Sequence, residues 1–282
     1  MFVQRLCSSI VLLGLFAAAI FWDGIGGKLC FTVLTVAGVL GSVYEFCRMI
    51  EKQEMPSYPV WTGLAVLFPV LGLLYKEVYP VYMVLFVVGI IIFFCVCLWI
   101  QLLCSGNRLD VLKKIMNSAA VFFLFVIPFL MLAGMYEERF LFLYLIVGTK
   151  IGDIGAYVVG SLSNKITKGR NHKLIPSISP GKSWEGLIGG LLISIGFALA
   201  VFPWASGYVY PFYFALIPGV LLFFFGSAGD LAESSLKRIC GIKDSGKLIP
   251  GIGGVMDLVD SLILNTPVFA VMLFLMDLAL AK

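Results

Sequence analysis

The chain has 282 residues, 61% of them hydrophobic and 13% charged, with a formal net charge of +4. A soluble domain of this size needs more charged surface than these residues supply, so the composition belongs to the membrane class. The small positive balance suits attraction to anionic headgroups and gives no reason to expect a nucleic-acid partner.

Nine apolar runs are read as membrane-spanning helices: 6–22, 29–47, 60–75, 78–104, 115–136, 140–160, 184–204, 211–229 and 261–280. Backbone groups in hydrocarbon must pair within their own segment, and no alternating barrel pattern competes, so each run is expected to be helical. The first run closes on bulky Phe21 and Trp22 rather than on a small-residue cleavage site, and is read as an uncleaved span. Run 78–104 is long enough to tilt or break. The expected fold is all-α: one polytopic membrane domain over 1–282, with N-terminal spans in 1–136 and the polar motifs in 137–282. No convincing internal repeat is present, which weighs against an inverted-repeat transporter.

Basic residues set the orientation. With the N-terminus taken as cytoplasmic, fifteen of the twenty Lys and Arg fall on that side and four on the other, while Lys150 lies within a span. That asymmetry favours a cytoplasmic N-terminus and puts the loops 161–183 and 230–260 in the cytoplasm; the expected location is the cell (inner) membrane. The seven cysteines form no CxxC pair and read as small apolar side chains, and a single histidine, His172, excludes multi-histidine metal sites.

Four polar constellations interrupt the apolar chain. Lys150 and Asp153 sit at i, i+3 inside a span, where charges are costly and are functional candidates by default; an internal ion pair is the competing reading. Ser179, Lys182, Ser183 and Glu185 start the seventh span, with Ser183 placed as an N-cap and Trp184 as an interfacial anchor. Asp230, Ser234 and Lys237 share one helix face at i, i+4 and i+7, with Glu233 beside them; a solvated helix end is the alternative. Finally, Lys243 and Asp244 precede a Gly/Pro-rich turn, and Asp257, Asp260 and Ser261 open the last helix. Carboxylates facing lysines suit hard cations and phosphates. The glycines of "PGIGG" can bring N–H groups to an anion or simply make a turn.

These segments resemble phosphatidate cytidylyltransferases, also called CDP-diacylglycerol synthases. Ser234, Leu236, Lys237, Arg238, Lys243, Asp244, Gly246, Pro250, Gly253, Gly254, Val255, Asp257, Val259 and Asp260 fall in register with that family's signature. "GDIGAY" and "ISPGKSWEG" resemble its two upstream polar segments. Ile252 and Leu258 stand where the family usually has histidine and arginine, and Ser161 where arginine is common.

The resemblance implies transfer of a cytidylyl group from CTP to phosphatidic acid in the cytoplasmic leaflet. It implies catalytic roles for Lys237, Arg238, Asp230, Asp257 and Asp260. Magnesium would be held by Asp230 and Asp257 with Asp153 nearby, and a second cation, monovalent or divalent, is left open. Nucleotide or lipid contacts fall to Ser179, Lys182, Ser234, Lys243, Asp244, Lys247, Gly253 and Gly254. A homodimer is also implied. Two rival readings use the same inventory: a CTP-dependent lipid-alcohol kinase, and an ion-coupled transporter working through Lys150, Asp153 and the loop carboxylates. The gathering of charges at one rim disfavours transport.

Overall fold

The computed structural model describes residues 2–53, 108–207, 211–251 and 253–280. Runs 60–75 and 78–104, and Ile252, lie outside the described residues. Nearly everything described is helix. In chain order come α1 (Phe2–Phe21), α2 (Ile25–Glu51), α3 (Arg108–Val121) and α4 (Ile127–Gly134). Then follow α5 (Arg139–Ile166), a hairpin of β1 (Lys173–Ile175) and β2 (Ser179–Ser183), α6 (Trp184–Ser206), α7 (Phe212–Ile239) and α8 (Met256–Leu280).

Among the described residues, six helical segments are long and apolar enough to cross a bilayer: Ile25–Glu51, Leu109–Glu137, Arg139–Ile166, Trp184–Ser206, Tyr213–Ile239 and Met256–Ala279. Each overlaps one of the runs read from the sequence, so the chain is a multi-pass helical membrane protein. The first run lies in α1, whose apolar stretch Ile10–Phe21 is shorter than a span. Several helices outrun their apolar stretches. Helix α7 continues through the polar residues 230–239 until Gly241, at φ 66°, turns the chain. Helix α5 continues to Ile166 and ends ahead of Lys168 and Gly169, both at positive φ.

The chain forms two compact units, Met1–Gly134 with Asp244–Leu258, and Met135–Lys243 with Val259–Lys282. In the first, Gly38 and Gly41 on α2 leave room for Phe129 and Val255 respectively. Phe46 meets Phe125 edge-on at 5.3 Å, amid buried Val39, Val43, Phe122 and Val126. A π-helical turn, Phe122–Val126, joins α3 to α4; the Ile127 N–H reaches back to Phe122 O just before Pro128, which has no N–H to offer.

In the second unit, α5 and α6 pack through small residues, as membrane helices do where backbones approach closely. A Cβ added at Gly190 would lie 2.6 Å from Phe223 and 2.8 Å from the Gly152 carbonyl oxygen. The Ser194 hydroxyl donates to Gly219 O at 3.0 Å, tying α6 to α7. Buried Asn265 on α8 donates to both Thr149 Oγ1 and Leu222 O at 2.9 Å, and so links three helices. Phe197 and Phe269 stack on Tyr144 and Phe202 meets it at a tilt, with ring centroids 5.2–5.8 Å from Tyr144.

The hairpin is a local departure from an all-helical chain. It is antiparallel, pairing Lys173 with Ser183 and Ile175 with Ser179, with an irregularity between. It draws the loop after α5 back onto the start of α6. There Ser183 caps the helix as its sequence position suggests, its Oγ accepting the Gly186 N–H at 3.2 Å.

The close α5–α6 packing predicts opposite effects for two glycine replacements. Gly190→Ala should lower stability by about 1–3 kcal/mol through overpacking. Gly196→Ala, with nothing within 4 Å of its added methyl, should be neutral or stabilising by up to about 1 kcal/mol. Thermal unfolding of the detergent-purified variants checks the contrast.

Candidate active site

The second unit brings together charges from four elements. Helix α7 supplies Asp230 and Glu233 one turn apart, and α8 supplies Asp260. A carboxylate oxygen from each lies within 4.8 Å of the others, with Glu233 and Asp260 buried and Asp230 half-buried. The approach depends on Gly229, since a Cβ there would come 2.5 Å from the Asp260 carbonyl oxygen. Without a side chain at 229, the start of α8 can lie against α7.

Each of these carboxylates meets a lysine. Lys182, on the hairpin, is 2.6 Å from Asp230. Lys237, one turn along α7, donates to Glu233 at 2.7 Å. Lys150, on α5, lies 3.5 Å from Asp260 and 3.8 Å from Asp153. Ser261 joins the last two carboxylates, its hydroxyl 3.1 Å from Asp260 Oδ1 and 3.3 Å from Asp153 Oδ2. The Ser234 hydroxyl donates to Asp230 at 3.4 Å. The i,i+4 pairs on α7 are therefore not a solvated helix end, because Glu233 is only 5% exposed. The Lys150–Asp153 pair is also no isolated structural pair, since Lys150 serves Asp260 as well.

Beside this cluster lies a cavity of about 460 Å³ whose wall includes Asp153, Asn164, Asn171, Ser179, Lys182 and Asp230. Its walls are ammonium and carboxylate in one part and Phe223, Leu187 and Leu231 in another. Arg238 is exposed, its guanidinium donating to Ile178 O at 3.5 Å and Ile242 O at 3.4 Å. Lys243 is exposed. His172 is exposed too, but Glu185 Oε1 accepts its backbone N–H at 3.1 Å and stands 2.9 Å from its Nδ1.

Asp244, Lys247, Gly253, Gly254 and Asp257 belong to the first unit. There the turn after Lys247 is closed by reciprocal hydrogen bonds between Ile249 and Gly253, at 2.9 and 3.1 Å. Gly253 sits at φ 133°, which a side chain would strain. Asp257 accepts the Gly254 N–H at 2.8 Å and the Ser245 N–H at 3.3 Å. The N–H groups of both glycines are thus engaged within the loop.

The sequence places Glu233 beside the α7 face without making it a ligand, and it does not single out Glu45. Glu233 completes the carboxylate cluster; its i,i+4 spacing from Lys237 was visible, but not its burial. Glu45, at the end of α2, is 2% exposed and accepts hydrogen bonds from the loop just described. A glutamate inside run 29–47 was the available sign.

The donor set is all oxygen and compact, which suits a hard divalent cation better than a thiolate- or imidazole-seeking metal. The chain belongs to the cytidylyltransferase family, whose profile matches residues 3–276. It is 46% identical over 122 residues to a phosphatidate cytidylyltransferase of Pseudomonas aeruginosa, covering 43% of each chain. It is 38% identical over 145 residues to one of Staphylococcus saprophyticus, covering 49% of this chain and 52% of the other. It is also 39% identical over 131 residues to an uncharacterized protein, YnbB, of Escherichia coli, covering 46% and 41%. The chain spans about half the length of the curated relatives it matches.

The Lys150–Asp260 pairing predicts a coupling in stability. Lys150→Met leaves a buried carboxylate without its ammonium and should cost about 1–3 kcal/mol. Adding Asp260→Asn should return part of that loss. A double-mutant cycle by thermal unfolding in detergent measures the coupling; simple additivity would contradict the pairing.

Proposed function

We propose that the chain transfers a cytidylyl group from CTP to phosphatidic acid, giving CDP-diacylglycerol and pyrophosphate. The observation that carries this reading is the meeting of three carboxylates and their three lysines, from three helices and the hairpin, in a membrane protein of the cytidylyltransferase family. A phosphate oxygen of the lipid attacks the α-phosphorus of CTP. A new P–O bond forms there, the bond to the bridging oxygen of the β-phosphate breaks, and pyrophosphate leaves with the electron pair. No protein nucleophile is needed, because the lipid phosphate is already one. The difficulty is electrostatic, since two polyanions must approach.

The chain's own residues address that difficulty. Asp230, Glu233 and Asp260 are the proposed holders of a divalent cation, with Asp153 next to them, and Asp257 is proposed as a metal ligand as well. Such a cation, when bound, supplies charge neutralisation of the triphosphate and of the leaving pyrophosphate. Lys182, Lys237 and Lys150 now neutralise carboxylates. Once a cation takes over that task, their ammonium groups can turn to phosphate oxygens. Arg238 offers a planar donor fork for the same purpose. Ser179 and Lys182 line the cavity and are proposed to close over substrate. Ser234 supports Asp230 through its hydroxyl. Lys243, Asp244 and Lys247 are proposed to face the nucleotide end, with Gly253 and Gly254 shaping the turn. The cytoplasmic orientation argued from the basic residues would admit CTP from the cytosol and lipid from the inner leaflet.

Two measurements test the reading. With purified protein, phosphatidic acid and Mg²⁺, label from the α position of CTP should enter lipid and label from the γ position should leave as pyrophosphate. Entry of γ-label into a lipid alcohol would instead indicate a kinase. Asp257→Asn should lower turnover by about a thousand-fold or more while leaving expression intact, as expected for loss of a charge-stabilising group; near-normal turnover would remove Asp257 from the proposed ligands.

A further inference from the structure

Glu45 lies in the apolar helix α2, two hundred residues from the loop it touches. One oxygen, Oε2, accepts the Ser245 hydroxyl at 3.0 Å and the Met256 backbone N–H at 3.0 Å. The other, Oε1, is buried and has no hydrogen-bond partner among the described residues. A carboxylate in that setting is costly to bury, so its retention needs a reason.

The loop itself supplies one. Ser245 is held twice, by its hydroxyl to Glu45 and by its N–H to Asp257. Asp257 also holds Gly254, and Glu45 also holds Met256. The two carboxylates thus grip both ends of the Ser245–Met256 segment. The glycines fit this grip. A Cβ added at Gly246 would collide with the Glu45 side chain, which supplies its three nearest atoms, and one at Gly254 would collide with Glu45 and Ser245. Neither glycine has a positive φ. Each therefore clears space for the Glu45 carboxylate and is not required by the backbone conformation.

We infer that Glu45 is a positioning residue, a clamp whose carboxylate fixes the 244–257 loop so that Asp257 presents its side chain in one place. Its role in turnover rests on the proposed cytidylyl transfer; the clamp does not.

The test compares Glu45→Ala with Glu45→Gln in full-length protein, by hydrogen exchange of the amides and by turnover. Glu45→Ala removes both acceptors and should speed exchange over residues 245–256 by about ten-fold or more, as expected for lost bonds to a charged group. Peptides from α5 to α7 should exchange as in the wild type, which a general loss of stability would not allow. Turnover should fall by about ten-fold or more. Glu45→Gln keeps one acceptor oxygen and should recover most of both. Gly246→Ala should disturb the same peptides in the wild type and add little on top of Glu45→Ala, because both act on one contact.

Unchanged exchange at 245–256 in Glu45→Ala would overturn the clamp, as would accelerated exchange spread evenly over both units. If Glu45→Ala does not fold, Ser245→Ala decides the matter: it deletes one bond to Oε2 and must accelerate the same peptides, and protection equal to wild type refutes the clamp. A wild-type protein that transfers no α-label refutes the proposed reaction while leaving the exchange result to judge the clamp alone.

Discussion

A carboxylate set among apolar helices must find a cation or hydrogen-bond donors, because transfer from water costs far more than packing can return. Three carboxylates converge in the second unit, and three lysines answer them. The lysines come from α5, from the hairpin and from α7 itself, so the charge balance fixes where those elements sit. The glycines at 190 and 229 make the same approach sterically feasible from the backbone side. Packing and electrostatics therefore specify one arrangement, which is also one that a hard cation and phosphates can exploit.

The arrangement is held in balance and is not inert. Lysine ammonium groups are flexible point charges on long stems, so they can leave a carboxylate once another cation neutralises it. Buried pairs seldom add net stability over well-packed apolar residues. Their presence in a chain this apolar points to use in chemistry. The adjoining cavity carries polar and apolar lining together, as a substrate with a charged head and a fatty body would require.

Much of the helical architecture was legible from the sequence, because bilayer thickness dictates the length of an apolar run. Helix ends were less legible: polar residues such as those after Asp230 continue α7 until Gly241, and apolarity alone cannot reveal that. The hairpin escaped notice because a three-residue strand such as "KLI" carries no alternation to detect. Of the candidate site, the residue types and their helical spacing were readable, as were the Ser183 cap and the intramembrane Lys150 and Asp153. Partner choice was not. That Lys150 reaches Asp260, and that Glu45 reaches Ser245, depends on contacts more than a hundred residues apart. Glu233 was visible as a neighbour of Asp230, but only the approach of α8 makes it part of a cluster.

The account rests on the claim that Asp230, Glu233 and Asp260 act as one cation-binding group. Titration of Mn²⁺ into the detergent-purified protein without nucleotide, followed by electron paramagnetic resonance, tests it most directly. Saturable binding in the wild type, weakened about ten-fold or more in Glu233→Gln, is the predicted result. Equal binding by the two proteins, or no saturable binding by the wild type, would contradict the claim.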